Sequence, residues 1–175
     1  MFDQVYEGRR CLVTGHNGFK GSWLSLWLSE LGAEVHGLSL DPEGGPSLYE
    51  TLPKGTFESE TVCDIRNFTE LREAIDEIRP EIVFHLAAQP IVRLSYADPL
   101  GTLGSNVLGT SHVLEAIREL NLNCATLMIT SDKCYENKEW EFAYRENDPM
   151  GGHDVYSMSK GCAELVTQSW VRSFF

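Results

Sequence analysis

The sequence predicts a doubly wound α/β fold built on a parallel sheet, and three observations carry the prediction. An apolar run of strand length, Cys11-Leu12-Val13, leads into a glycine-rich turn and then into apolar residues at helical spacing. A second run, Ile82-Val83-Phe84-His85-Leu86-Ala87-Ala88, is nearly continuous rather than alternating, the pattern of a strand covered on both faces. Strand and helix patterns then alternate along the chain, with no repeats, low-complexity tracts or evident linkers.

In order, the first strand is followed by a helix with Leu24, Trp27, Leu28 and Leu31 on its buried face and Gly32 as its C-terminal cap. Glu34 to Leu40 reads as a second strand, ending in a loop, Asp41-Pro42-Glu43-Gly44-Gly45-Pro46. Ser47 to Leu52 suits one helical turn, and Phe57 to Cys63 a third strand. A second helix starts at Asn67, with Glu70 placed to reach back to the cap; Phe68, Leu71, Ile75 and Ile78 share one face, and Pro80 ends it. After the strand at Ile82 to Ala88 comes a long helix over about Leu100 to Leu120, its buried side marked by Leu103, Val107, Thr110, Leu114 and Ile117. Cys124 to Ile129 is a further strand, Glu136 to Asp154 a polar loop, and Val155 onward a last helix.

The 175 residues suffice for one domain with a proper core. A formal net charge of −12 disfavours a nucleic-acid surface, which needs a basic face. It leaves nucleotides open, because backbone N–H groups hold phosphates without net positive charge. The five cysteines are odd in number and none forms a C-x-x-C pair, so neither a disulfide framework nor a zinc site is expected. Cys134 is set apart only by its polar neighbours. The mixed polar start and the absence of a long apolar run make the expected location cytoplasmic, with no membrane partner.

The turn Thr14-Gly15-His16-Asn17-Gly18-Phe19-Lys20-Gly21 carries the functional signal. Gly15 lets the chain turn sharply out of the strand, Gly18 lets a pyrophosphate approach the backbone, and Gly21 lets the helix pack closely on the sheet. The N–H groups at the helix start then face the phosphates. Asp41, at the end of the second strand, stands where an acid takes the adenosine ribose hydroxyls. It would repel a 2′-phosphate, which favours NAD over NADP; His16 and Lys20 are the basic groups nearby. At the other end of the chain, Tyr156 and Lys160 are four apart and share a helix face. An ammonium beside a phenol favours the phenolate, a suitable base for an alcohol that is losing hydride.

The chain resembles the extended short-chain dehydrogenase/reductase superfamily at Thr14-Gly15-x-x-Gly18-Phe19-x-Gly21, Asp64-Ile65, His85-Leu86-Ala87-Ala88, Asn106, Thr130-Ser131 and Tyr156-x-x-x-Lys160. The resemblance implies NAD across the strand ends, held at Gly15, Asn17, Gly18, Phe19, Gly21 and Asp41. It places Asp64 and Ile65 near the adenine, Leu86, Ala87 and Ala88 towards the nicotinamide, and Tyr156 and Lys160 at both cofactor and substrate. Ser131 would hydrogen-bond the reacting oxygen. Asn106 would interrupt its helix and help order a proton-carrying water. Without that pattern, Asn106 reads as a helix-surface amide, Asp64 as a strand-end turn residue, and Ala87 and Ala88 as core packing.

A narrower resemblance, to sugar-nucleotide 4,6-dehydratases of the CDP-glucose group, lies in Ser131-Asp132-Lys133-Cys134-Tyr135-Glu136-Asn137-Lys138-Glu139-Trp140, in Tyr144 to Gly152 and in Lys160 to Leu165. Related dehydratases carry Asp-Glu after the serine or threonine; here Lys133 replaces the Glu. The implied roles are Asp132 as acid at the leaving C6 hydroxyl and Lys133 as the base at C5, with a sugar nucleotide as substrate and a homodimer or higher homo-oligomer as the full-length form. An epimerase of the same superfamily would share Tyr156 and Lys160 without needing Asp132-Lys133. An NAD-binding module without turnover and a short structural domain are the other readings. The chain stops inside an apolar helical pattern, Trp170 to Phe175, after about five strands. It therefore reads as an N-terminal fragment: residues 1–175 form an incomplete NAD-binding domain, with the later strands and the substrate domain absent.

Overall fold

The computed structural model describes residues 2–42 and 44–175. Five strands, β1 (Arg10–Thr14), β2 (Glu34–Ser39), β3 (Ser59–Val62), β4 (Ile82–His85) and β5 (Ala125–Met128), form one sheet in the order β3-β2-β1-β4-β5. Every pairing is parallel, with Cys11 opposite both Val35 and Ile82, and Ile82 opposite Ala125. The strand order reverses direction between β1 and β4. A crevice opens there beyond the carboxyl ends of the strands.

Alternate strand residues feed two cores. Cys11, Val13, Val35, Ile82 and Phe84 pack with Leu28 of α1 (Phe19–Glu30) on one face. Leu12, Leu38 and Val83 point to the other. They meet Leu71 and Ile75 of α2 (Phe68–Ile78) and Val113 and Ile117 of α5 (Thr110–Glu119), and α6 (Val155–Phe174) packs beside α5. The doubly wound parallel expectation therefore holds. Strand bounds are shorter than the apolar runs: the third strand begins at Ser59 because Phe57 turns into the core beside β1 and β2, and β4 stops at His85 so that Leu86, Ala87 and Ala88 form a loop. The expected turn after β2 is a 3₁₀ turn at Tyr49–Thr51. Asn67 caps α2 by accepting from the Glu70 N–H at 3.4 Å, but the Asn67 N–H goes to the Asp64 carbonyl rather than to the Glu70 side chain.

Two differences have clear physical causes. The buried face of α1 is Gly21, Ser22, Ser25 and Leu28, while Trp27 is 51% exposed and Trp23 54%. The helix lies so close to the turn that small side chains, not apolar ones, must face the sheet. The long helix is also divided. A short α3 (Val92–Ala97) precedes α4 (Pro99–Leu103), and a π-helical segment, Gly104–Gly109, separates α4 from α5. The extra residue per turn rotates Asn106 inward, to 1% exposure. Leu103 and Val107 are only half-buried, and Thr102 and Gly109 take the buried places.

A chain of buried hydrogen bonds crosses these layers. Thr14 Oγ1 accepts from the N–H groups of Leu86 at 3.2 Å and Ala87 at 3.1 Å, so its own proton goes to His85 Nδ1 at 2.8 Å. His85 Nε2 then donates to Thr110 Oγ1 at 3.2 Å, and Thr110 donates to the Asn106 carbonyl at 2.8 Å. This donor count assigns the neutral Nε2–H tautomer. Asn106 extends the chain: its Oδ1 accepts from Gln89 N at 2.7 Å, and its Nδ2 donates to the Gln89 carbonyl at 3.1 Å and to Ser159 Oγ at 2.9 Å. Ser159 in turn donates to the Tyr156 carbonyl at 2.6 Å.

Two measurements check this architecture. Ser25→Leu, apolar but too large, is expected to cost about 1–3 kcal/mol in urea unfolding. Trp23→Ser is expected to stay within about 0.5 kcal/mol; the reverse order would restore the apolar-face view of α1. Burial, with the Lys160 charge acting in the same direction, pushes the His85 imidazole from 6.5 down to about 3. The unfolded chain takes up that proton first, so this contribution is full above about pH 6.5 and is lost as pH falls towards 3, by on the order of 1.4 kcal/mol per pH unit. His85→Asn is expected to flatten the stability slope between pH 6.5 and 5 relative to the parent. Equal slopes would reject the neutral buried imidazole; His16 and His36, also lowered by burial, are common to both proteins.

Candidate active site

The site is built at the switch point. Gly15 has φ +71° and donates its N–H to the Leu38 carbonyl at 2.7 Å. A Cβ on Gly15 would lie 2.8 Å from Ala87 N, and one on Gly21 would run into the Gly15 carbonyl and lie 2.8 Å from His16 Cα. Both positions need glycine because two backbone segments meet there. Gly18, extended at φ −73° and ψ 165°, caps α1 without any side-chain bond to its first turn. No side chain caps the N–H groups that open α1, which leaves them free to donate to phosphate oxygens. Phe19 supplies backbone at the first helical position; its ring is 72% exposed.

The other predicted residues fall along the same edge of the sheet. Asn17 donates from Nδ2 to the Leu40 carbonyl at 2.7 Å, tying the turn to the end of β2, and Asp41 follows, exposed. Asp64 serves its own turn: its Oδ1 accepts from the Arg66 N–H at 2.9 Å, and both carboxylate oxygens accept from Arg66 Nε. That guanidinium holds the carboxyl below its ordinary range, against the opposing effect of partial burial. Ile65 points into the core against Gly109, and its carbonyl accepts from His112 Nδ1 at 2.8 Å. Leu86 and Ala87 are half-buried against the two cores, and Ala88 is half-buried beside them. Asn106 is no surface amide: both protons of its amide are held by Gln89 and Ser159, so it positions the loop after β4 against α6.

Opposite the turn stands α6. Asp154 caps it, accepting from the Ser157 N–H at 2.9 Å and from Ser157 Oγ at 2.7 Å. Tyr156 and Lys160 lie one turn apart on its inner face and are 9% and 7% exposed. Burial pushes the Lys160 ammonium down, the Lys20 charge adds to this, and Glu164 opposes it.

Ser131 Oγ accepts from the Lys133 N–H at 3.0 Å and so caps a 3₁₀ turn, Asp132–Cys134. This turn packs against α6, where a Cβ on Gly161 would lie 3.1 Å from the Cys134 carbonyl. Asp132 and Lys133 are exposed at the rim of a cavity of about 320 Å³ that also includes Tyr135, Tyr144, His153 and Ser157. Tyr156 and Lys160 are not among its lining residues. The Tyr135 and Tyr144 rings stack at 5.2 Å, and Tyr135 bridges Met150, so the polar loop returns over the cavity. The Cys134 thiol is buried and pushed up by that burial, an inert environment.

The sequence named Thr14 and His85 inside matching stretches and Thr110 on a buried helix face, but not the hydrogen bonds that join them to one another and through Asn106 to Ser159, because no spacing rule reports a chain across separate elements. Sequence reasoning also missed Asp154, which a capping pattern ahead of Ser157 would have disclosed, and the surroundings of His16.

The sequence profile described as GDP-mannose 4,6 dehydratase matches residues 12–174. A CDP-glucose 4,6-dehydratase of Salmonella typhimurium is 55% identical over all of this chain and 49% of its own length. An epimerase of Methanothermobacter thermautotrophicus has a solved structure that matches with a TM-score of 0.85 at 27% identity, over 98% of this chain and 50% of its own. The UDP-glucose 4-epimerase of Thermus thermophilus, solved in complex with NAD, matches with a TM-score of 0.79 at 29% identity, over 94% and 51%. The chain spans about half the length of the curated relatives it matches. With the profile covering nearly every residue from β1 to the end of α6, the chain belongs to the GDP-mannose 4,6 dehydratase family.

Proposed function

We propose that residues 1–175 are the NAD-binding part of a CDP-glucose 4,6-dehydratase, whose product is the 4-keto-6-deoxy sugar nucleotide. The observation that carries this reading is the packing of the Asp132–Cys134 turn against α6, which puts Ser131, Asp132 and Lys133 on the element adjoining Tyr156 and Lys160. The likeness to the Salmonella enzyme supports the choice of sugar nucleotide. The glycine cradle and the bare start of α1 fit the dinucleotide, and Asp41 at the end of β2 suits the unphosphorylated ribose. The remaining strands and the substrate domain belong, in this reading, to the rest of a longer protein.

NAD, when bound, would supply the hydride chemistry, as acceptor of the C4 hydride and as its donor back to C6 once water has left, so that the net reaction is dehydration. This chain's residues manage the protons. Tyr156, with Lys160 beside it and Ser131 on the reacting oxygen, takes the C4 hydroxyl proton. The resulting ketone acidifies C5–H. Lys133 takes that proton while Asp132 gives one to the C6 hydroxyl, which leaves as water, and Lys133 returns its proton to C5 when C6 is reduced. Asn106 holds the loop at Ala87 and Ala88 and the helix at Tyr156 in fixed relation; its share in ordering a proton-carrying water belongs to this proposal.

A cytoplasmic location belongs to this proposal. Among the described residues, no helix is long and apolar enough to cross a membrane. A homodimer or larger homo-oligomer is proposed for the full-length form, in keeping with outward Leu108 on the π-helical segment and Leu165 on α6, each more than half exposed.

The test is turnover of CDP-glucose with NAD by the whole protein, following the keto-sugar by its absorbance in alkali. Product from CDP-glucose, and none from dTDP-glucose or UDP-glucose, is expected. Interconversion of epimers without dehydration would favour the epimerase reading that the fold likeness keeps in view. Asp132→Asn is expected to slow elimination by about 10²–10⁴-fold with NAD binding unchanged; undiminished turnover would remove Asp132 from its role.

A further inference from the structure

We propose that His16 is a positioning residue for the adenosine end of the dinucleotide site: it fixes the phosphate-binding turn against the end of β2, and so sets the preference for an unphosphorylated ribose. The inference rests on the cofactor reading given above and names a residue that reading does not use.

In the sequence, His16 stands between Gly15 and Gly18, where a basic side chain could meet a 2′-phosphate. The structure puts it elsewhere. The imidazole folds back over β2 and is 4% exposed. It occupies the space above Gly37, where a Cβ would lie 2.6 Å from His16 Cγ and Cδ2. A glycine in the middle of a buried strand is thereby explained by a ring from another segment. Phe57 and Tyr49 meet the imidazole edge-on, with centroids at 5.0 and 5.6 Å.

Both ring nitrogens are engaged. Nε2 lies 2.9 Å from Glu60 Oε1, and the Tyr49 hydroxyl donates to the same oxygen at 2.6 Å. A carboxylate only accepts, so Nε2 carries the proton. Burial favours the neutral ring over the opposing pull of Glu60 and the Leu38 carbonyl. Nδ1 is then an acceptor, and Ser39 Oγ donates to it at 3.1 Å. The His16 carbonyl accepts from Ser22 Oγ at 3.2 Å. One residue thus joins the turn to β2, β3, α1 and the 49–57 segment.

The consequence falls on Asp41. His16 binds Ser39, the next turn residue, Asn17, binds the carbonyl of Leu40, and Asp41 comes next. Successive residues of the turn grip the last residue of β2 and the one that follows it. The separation between the phosphate-binding amides and the ribose acid is therefore set by side-chain bonds and not by the loop beyond Pro42. A 2′-phosphate needs that end of β2 to retreat or a cation to meet it. His16, committed on both nitrogens, holds that end of β2 in place and is not itself available as the cation.

The test measures binding of NAD and of NADP to the whole protein by calorimetry, with circular dichroism confirming the fold of each variant. The parent is expected to prefer NAD. His16→Ala is expected to weaken NAD by about tenfold or more and NADP by less, narrowing the preference. His16→Gln, which retains a donor for Glu60, is expected to recover much of it. Should His16→Ala not fold, Ser39→Ala removes only the Nδ1 partner and is expected to narrow the preference in the same sense by a few-fold. An unchanged NAD to NADP ratio in the folded variants, including equal weakening of both, overturns the proposal in favour of a stabilising role alone. A parent chain that prefers NADP also overturns it while leaving the dinucleotide site standing. A parent that binds neither overturns the cofactor reading and this inference together.

Discussion

The bond between Thr14 and His85 holds the two halves of the sheet in the relation that everything else uses. β1 and β4 are neighbours at the point where strand order reverses, and their carboxyl ends must be fixed before a crevice between them has a shape. Thr14 does this with one hydroxyl, accepting from two amides of the loop after β4 and donating to His85. His85 then reaches Thr110, so the same imidazole ties the sheet to the helix layer. Such a group is stable only if both nitrogens are satisfied, because an unpaired polar atom so deeply buried would cost more than a hydrogen bond returns. The buried chain continues through Asn106 and Ser159 to the backbone of Tyr156, and so connects the glycine-rich turn with the helix that carries the proposed base.

Close approach is the second organising constraint. Gly15 against Ala87 and Gly21 against Gly15 are contacts between main chains with no room for a side chain, and Gly161 lies close to the Cys134 carbonyl. They bring the glycine-rich turn against the loop after β4, and the turn bearing Asp132 against α6. The cost appears on α1, whose inner face is glycine and serine and whose outer face carries Trp23 and Trp27. Helix burial here follows size before hydrophobicity, since backbone distance, set by the turn, comes first.

The π-helical segment is a third case of local irregularity serving long-range order. An uninterrupted α-helix from Pro99 to Glu119 would turn Asn106 away from Gln89 and Ser159. Widening one turn brings the amide inward, where it binds two separate elements. The inward histidine at position 16 works in the same manner at the adenosine end, with Gly37 clearing the space.

The sequence by itself determined the doubly wound parallel architecture, the glycine-rich turn, the approximate places of its strands and main helices, and the pairing of Tyr156 with Lys160, because each rests on a pattern within one segment: continuous apolar runs, glycine spacing, a helical repeat. It also marked Asn106 through resemblance, though not its burial. Only the tertiary structure decided which face of α1 is buried, where the long helix breaks, that Asp64 answers to Arg66 and Ile65 to the core, and that Thr14, His85 and His16 are structural pivots. Those outcomes depend on distances between segments remote in sequence. A histidine reads the same in the chain whether it lies over a glycine of the next strand or in solvent, and only the packed neighbours fix its proton, its partners and its consequence for the site.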